Sequence, residues 1–330
     1  MTPPETTLRP DRVERSLLSV PATSERFFAK AAASAADTVM LDLEDSVAPG
    51  QKVEARRQVI PVVNGRDWGR RTLAVRVNAL DTPWGVRDLL EVAEACPRLD
   101  LVMVPKVERA EDLFAVETIL LAAEQAAGRS RPIGIAAQME SALGLTNIEA
   151  IAAATPRLES VSFGPGDYAA SIGNRARVIG GPDPDYAVLT DPDGGGRRER
   201  HWNDAWHYAM ARTAVACKAH GVRVLDGPYV NIPDSEGFLA AARRAASLGF
   251  NGKWAIHPSQ IDLANRVFGP TAEEVAWAEA LLAEMAKAHA EGAGAIKREG
   301  QMVDMAHVRQ ARRIKVHAEQ IAARGREGGE

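Results

Sequence analysis

Short apolar runs alternate with helical patterns along this chain, and that alternation constrains the fold more than any other feature. The runs cover residues 16–20, 38–41, 72–77, 101–104, 133–139, 161–163, 222–225 and 254–256. Helical patterns occupy the intervals. One follows Ser24, which is placed to cap it, and others span 52–63, 86–95, 110–126, 145–154 and 235–248. Parallel strands need a crossover of a dozen or more residues, and helices supply it. Eight such units predict an α/β fold of the (β/α)8 TIM-barrel type. Two stretches break the rhythm. Residues 174–205 form a long insertion, a length usual for mobile or functional loops. After Pro270, helices at 273–290 and 306–323 flank a glycine-rich link, GAGAIKREG, with Gly292 and Gly294 as an expected hinge. The expected organisation is a loose polar arm over 1–14, a catalytic barrel over 15–270 and a helical lid or oligomerisation segment over 271–330.

In parallel α/β proteins the functional groups gather at the carboxyl ends of the strands. The stretch 133–168 reads strand, helix, strand, and each strand runs into a carboxylate, Glu140 and then Asp167. Two hard oxygen ligands side by side on one rim suit Mg2+, which commonly takes one or two carboxylates and leaves its other positions to water and substrate. The plain alternative is two exposed loop acids. Arg76, near the end of the third run, is the sort of guanidinium that holds a carboxylate or a developing oxyanion; an ion pair to Asp42 or Glu44 is the alternative. The run Asp42-Leu43-Glu44-Asp45 needs cations to offset it, and Arg76 or Lys106 is expected nearby. Glu44 is placed to orient metal-bound water or a catalytic group. Arg15, Arg26 and Lys30 surround the first strand-to-helix connection, which fits a phosphate site, although a solvated helix face explains the same charges. Gly164-Pro165-Gly166 lacks the third glycine of a dinucleotide fingerprint. His201, Asp204 and His207 fit helix-start packing better than a second metal site, and His257 reads as a hydrogen-bonded rim histidine.

Net charge is −4 with both signs mixed, which argues against a nucleic-acid-binding surface. Cys96 and Cys217 show no metal spacing and no disulfide framework. No stretch reaches membrane-span length and the amino terminus has no apolar signal core, so a soluble cytoplasmic protein is expected.

The motifs RSLLSVPATSERFFAKA, DTVMLDLEDSVAPGQKVEAR, VRVNAL, VMVPKVE, QMESALGL, SFGPGDYAASIG, LDGPYVNIPDSEGF and LGFNGKWAIHPSQI occur in this order from about residue 15 to 270. Together they resemble the CoA-ester lyases related to the citrate lyase beta subunit, in the HpcH/HpaI aldolase superfamily. HWNDAWHYA and GKWAIHPSQIDLAN look most like the malyl-CoA/β-methylmalyl-CoA lyase branch. The resemblance implies a Mg2+-dependent (Mn2+ serving in its place), reversible Claisen-type cleavage of a 3-hydroxyacyl-CoA. Malyl-CoA would give acetyl-CoA and glyoxylate, with β-methylmalyl- and citramalyl-CoA as equivalents. It implies Glu140 and Asp167 as metal ligands and Arg76 on the thioester oxygen. Arg15, Arg26 and Lys30 would meet the CoA phosphates, and the turn Ile256-His257-Pro258 would line the CoA channel. Asp304, in the tail motif GQMVDMA, would be a lid acid/base often supplied by a neighbouring subunit. Partners would be acyl-CoA, a small 2-oxo acid and further copies of the chain, as a trimer or hexamer. Tyr168 and Ser141-Ala142 depart from many relatives around the small-acid pocket. Three rivals stand beside this reading: a malyl-CoA thioesterase on the same barrel, a 2-oxo acid aldolase that ignores CoA, and a non-catalytic acyl-CoA-binding partner protein.

Overall fold

The structure, a computed structural model, describes residues 10–175, 178–183 and 185–326. Its elements begin with β1 (Ser16–Pro21), α1 (Glu25–Ala32), β2 (Thr38–Asp42), α2 (Lys52–Gly65), β3 (Thr72–Arg76), α3 (Gly85–Ala95), β4 (Leu101–Val104) and α4 (Ala110–Ala126). Next come β5 (Gly134–Met139), α5 (Ala142–Thr146), α6 (Ile148–Ala153), β6 (Leu158–Phe163), α7 (Pro165–Ser171), β7 (Ala187–Leu189), β8 (Arg200–Trp202), α8 (His207–Ala219) and β9 (Arg223–Asp226). The chain continues through α9 (Ser235–Ser247), β10 (Gly252–Ala255), α10 (Ile261–Phe268), α11 (Ala272–Ala290), β11 (Ile296–Arg298), β12 (Gln301–Val303) and α12 (Met305–Arg326).

Eight parallel strands close into a barrel in the order β1-β10-β9-β6-β5-β4-β3-β2, the expected TIM-barrel architecture. Alternation along each strand sends every second side chain inward. Leu17, Met40, Ala74, Leu101, Met103, Ala136, Leu225 and Trp254 fill the interior as one buried cluster. The same periodicity carries Asp42, Arg76, Gln138 and Glu140 to the carboxyl rim above that plug, two residues beyond Met40, Ala74, Ala136 and Gln138 respectively. Asp42 and Arg76 are register partners at the last rungs of β2 and β3.

At the opposite, amino rim, Arg223 bridges Glu14 (3.0 Å) and Glu159 (2.9 Å), and Arg12 adds a 2.8 Å bond to Glu159. Of the arm expected over 1–14, residues 1–9 lie outside the described residues. Residues 12–14 are tied in: besides Arg12's ion pair, Val13 and Glu14 are buried. Two compact units divide the chain between Ala264 and Asn265. The second unit has its own core of Ala278, Leu281, Met285, Val303, Val308 and Ala311.

Four local expectations are corrected. The helix expected over 145–154 is two, α5 and α6, meeting at Asn147. The insertion 174–205 contains an antiparallel hairpin, β7 with β8. The later part of the glycine-rich link pairs as a hairpin, β11 with β12, which begins after Gly292 and Gly294, where the hinge is expected. Glu299 (φ +50°) and Gly300 (φ +82°) make its two-residue turn, as a type I′ connection requires. Gly292 (φ +84°) closes α11. Ser24 stands at the start of α1, but its side chain makes no capping hydrogen bond. Among the described residues no helix is long and apolar enough to cross a membrane.

Candidate active site

The carboxyl rim is built on the rung Asp42–Arg76. Arg76 grips Asp42 with two parallel bonds, Nε to Oδ1 and Nη2 to Oδ2, each 2.7 Å. Asp42 also accepts the backbone N–H groups of Glu44 (2.8 Å) and Ser46 (3.2 Å), so the same carboxylate shapes the loop that follows β2. Arg76 lies over the Trp254 ring, 5.5 Å from its centroid. The ion pair considered for Arg76 is therefore present, and it uses one N–H of Nε and one of Nη2, leaving the second Nη2 N–H and those of Nη1. Nη1 stands 2.9 Å from Glu44 Oε2, 3.3 Å from Gln138 Oε1 and 3.4 Å from Asp45 Oδ2. The Glu44 contact is an ion pair without hydrogen-bond alignment. Burial opposes the charge on Arg76, but Asp42, Glu44 and Asp45 outweigh it and keep the group protonated. Burial likewise raises Asp42, but Arg76's bonds and charge leave it below the usual carboxylate range.

Lys106 and Lys52 hold the acidic loop from two sides. Lys106 Nζ meets Glu44 Oε1 at 3.0 Å. Lys52 is buried beneath the loop, where its Nζ donates to the carbonyls of Leu43 (3.0 Å) and Glu44 (2.6 Å). The expected offsetting cations are thus both present, and Lys52 is a third.

Glu140 is 2 % exposed. Its Oε1 accepts the backbone N–H of Lys106 at 2.8 Å, and its Oε2 accepts a bond from Gln138 Nε2. Lys106 takes a left-handed backbone conformation (φ +53°) that few non-glycine residues adopt, and such strain gathers at functional sites. Gly164, one residue past β6, leaves no room for a side chain: a Cβ there would lie 2.6 Å from Glu140 Cβ and 2.7 Å from its Oε2. Asp167, exposed in the first turn of α7, joins Glu140, Lys106, Ser141 and Ser171 in lining a cleft of 460 Å3. A larger cavity of 760 Å3 lies between α1 and α2, but the smaller cleft, lined by both carboxylates, is the candidate site.

The charge balance in this cleft is what a cation site requires. Burial pushes Glu140 well above the usual carboxylate range, and the charges of Asp167 and then Glu44 push it further. The Lys106 N–H and Arg76 do not compensate. A divalent cation between Glu140 and Asp167 would remove both penalties, so the donor set fits Mg2+. Among the described residues no three or more His, Cys, Asp or Glu side chains gather as a metal site. A carboxylate pair completed by water and substrate is not of that kind.

The remaining expected site residues scatter. Arg26 and Lys30 are exposed on α1, after the carboxyl end of β1. Arg15 precedes β1 at the amino rim, where Nε and Nη2 bind Asp37 at 2.8 and 3.0 Å. The expected cluster of three is thus corrected: the length of a strand separates Arg15 from the others, and its guanidinium is already engaged. Ile256, His257 and Pro258 follow β10 at the carboxyl rim. His257 Nδ1 accepts the Ser259 N–H at 3.2 Å, so it is the hydrogen-bonded histidine expected. Asp204 accepts the Trp206 N–H (3.0 Å) and pairs with Arg244 (3.1 Å), which is a packing and capping role. In the second unit, Asp304 precedes α12. Its Oδ1 accepts the Ala306 N–H at 2.9 Å and lies 3.1 Å from His307 Nδ1. Those two contacts hold its carboxyl below the usual range. Sequence reasoning passed over Gln138, Lys52 and His307. Only Gln138 carried a signal, as the one polar residue two places before Glu140 in an apolar strand.

Tyr168, one of the departures noted in the motifs, is buried against Phe163 with ring centroids 5.4 Å apart. Similarity to known proteins now adds to this geometry. The chain matches the HpcH/HpaI aldolase/citrate lyase family over residues 15–258. It is 46 % identical over 315 residues to the L-malyl-CoA/beta-methylmalyl-CoA lyase of Cereibacter sphaeroides, covering 95 % of this chain and 97 % of that one. The (3S)-malyl-CoA thioesterase of the same organism is 35 % identical, with 94 % and 96 % covered. Among solved structures, CitE from Mycobacterium tuberculosis in complex with magnesium, acetoacetate and coenzyme A is similar at a TM-score of 0.69 and 31 % identity, covering 92 % and 97 %. The chain belongs to the HpcH/HpaI aldolase/citrate lyase family.

Proposed function

We propose that this protein is a Mg2+-dependent carbon–carbon lyase of 3-hydroxyacyl-CoA esters, splitting malyl-CoA or a methyl-substituted equivalent into an acyl-CoA and a small 2-oxo acid. The observation that carries this reading is the buried, under-compensated Glu140 beside Asp167 on the same rim as Arg76. The 46 % identical lyase supports the substrate class.

In the cleavage direction the hydroxyl carbon becomes a carbonyl as its O–H proton leaves. The carbon–carbon bond breaks, and its electron pair passes to the thioester as an enolate. A proton then closes the enolate carbon. Mg2+, when held by Glu140 and Asp167, would supply Lewis-acid stabilisation at the 2-oxo acid oxygens. Arg76 is fixed by Asp42 at two nitrogens, so its guanidinium costs little reorganisation in stabilising the negative charge that grows on the thioester oxygen. Glu44, gripped by Lys106, keeps Nη1 in place. Asp304 is read as the acid/base. A carboxylate in this place can take the acyl α-proton in the condensation direction and return it to the enolate carbon in the cleavage direction. Arg26, Lys30 and the turn Ile256-His257-Pro258 are read as the CoA end of the site; Arg15, at the other rim, is not. A homo-oligomer, trimer or hexamer, with residues 271–330 as the lid segment that carries Asp304, completes the reading.

The test is to mix the Mg2+-loaded protein with acetyl-CoA or propionyl-CoA and with glyoxylate or pyruvate, then weigh the products. Adducts of one acyl-CoA with one 2-oxo acid are expected. A product from free acids without CoA would overturn the reading in favour of an aldolase. A thioesterase is the second reading, motivated by the 35 % identical relative.

A further inference from the structure

We propose that Gln138 is a positioning residue: its side-chain amide ties Arg76 to Glu140 and holds the Glu140 carboxylate in the orientation that receives the divalent cation. The inference rests on the reading that Glu140 and Asp167 hold that cation. Gln138 is only 4 % exposed and sits on the inward row of β5 with Ala136, two residues before Glu140, which follows the strand. Its Oε1 accepts from Arg76 Nη1 at 3.3 Å, and its Nε2 donates to Glu140 Oε2.

The two partners leave the amide one orientation. A guanidinium only donates and a carboxylate only accepts. If the amide turned over, its NH2 would face the guanidinium and its oxygen would face the carboxylate, losing two charge-assisted bonds inside a buried site. Glu140 is fixed from two further directions. The Lys106 N–H holds Oε1 at 2.8 Å. The Gly164 backbone is so close that a Cβ there would come within 3.1 Å of Gln138 Nε2 as well as 2.7 Å of Glu140 Oε2. Each Glu140 oxygen thus has one acceptor position used by the protein and one left for a cation. Hydrogen-bond partners of this kind orient metal-binding carboxylates, and their loss typically costs about 10–100-fold in metal affinity. A core amide kept only for packing would affect unfolding but not cation affinity.

The experiment is calorimetric titration of the full-length, metal-free protein with Mn2+ alone, accompanied by thermal unfolding. Gln138→Met, which fills the space without either hydrogen bond, is expected to weaken Mn2+ binding about 10–100-fold. Gln138→Asn keeps an amide but is one methylene short of spanning both partners. It is expected to weaken binding too, and it carries the test if Gln138→Met does not fold. Glu140→Gln is the control and should abolish binding. Parent-like affinity in a folded Gln138 variant, with Glu140→Gln silent, overturns the role of Gln138 alone. No saturable Mn2+ uptake by the parent, or parent-like uptake by Glu140→Gln, overturns the cation site and this inference with it.

Discussion

Replacing Gly164 by alanine isolates the Glu140 carboxylate. The backbone at this position has φ −97° and ψ 88°, which an L-residue adopts without left-handed strain. The added methyl acts by contact alone, and it would meet Glu140 Cβ at 2.6 Å, Glu140 Oε2 at 2.7 Å and Gln138 Nε2 at 3.1 Å. Something must move, and the barrel backbone is held by its ladder. Overpacking a closed site costs roughly 1–3 kcal/mol, offset by about 0.4–1 kcal/mol from the stiffer unfolded chain. Net stability should therefore fall by only ~0–2.5 kcal/mol. The atoms displaced are those proposed to hold the cation. If the 1–3 kcal/mol appears as lost binding, Mn2+ affinity falls by about 5–150-fold. Gly166→Ala is the comparator, because its Cβ would touch only Ile179, at 3.3 Å and beyond. Isothermal titration with Mn2+ and a thermal melt on both variants make the measurement. Parent-like affinity and turnover in Gly164→Ala would show that the close approach has nothing to do with the site, and the reasoning fails.

Three other perturbations are as direct. Asp42→Asn should lower unfolding free energy at pH 7 by about 3 kcal/mol, the low end for breaking a buried pair, because Glu44 still faces Arg76. Asp42 sits below the ordinary aspartate value of about 3.9, so its contribution is present above that pH and is lost as pH falls through the lowered folded value. The gap between parent and variant in urea titrations should shrink from pH 4 downward; a constant gap contradicts the assignment. Asp304→Asn should leave acyl-CoA binding intact and cut kcat by roughly 10²–10⁴-fold; equal turnover removes Asp304 from the mechanism. Excess chelator should abolish activity and Mg2+ or Mn2+ restore it, whereas full activity in chelator refutes the carboxylate pair as a cation site.

Much of this site was readable before any coordinates because a parallel barrel sorts residues by simple rules. A residue just past a strand lands on the carboxyl rim, which is why Glu140 and Asp167, 27 positions apart, line one cleft. The same rule, read strictly, separates Arg15 from Arg26: one precedes β1 and the other follows it. Strand alternation marks Gln138 as inward two residues before Glu140. The choice between a free Arg76 and an ion-paired one was not legible. It depends on the register that puts Asp42 opposite Arg76, and register is set by packing around the whole barrel. The two hairpins were invisible for a different reason. Strands of three residues such as Ala187–Leu189 and Gln301–Val303, among charges and glycines, carry no hydrophobic period to detect. The strain at Lys106 was equally hidden, since nothing local in Val-Pro-Lys-Val demands a left-handed backbone.

In the proposed reaction the bond broken is carbon–carbon, and a divalent cation on Glu140 and Asp167 is needed to break it. Metal-stripped protein incubated with synthetic malyl-CoA, with and without added Mg2+, tests this by counting products. Acetyl-CoA and glyoxylate are expected in equal amounts with Mg2+ and neither without it. Free CoA and malate without glyoxylate, or glyoxylate released in excess chelator, would contradict it.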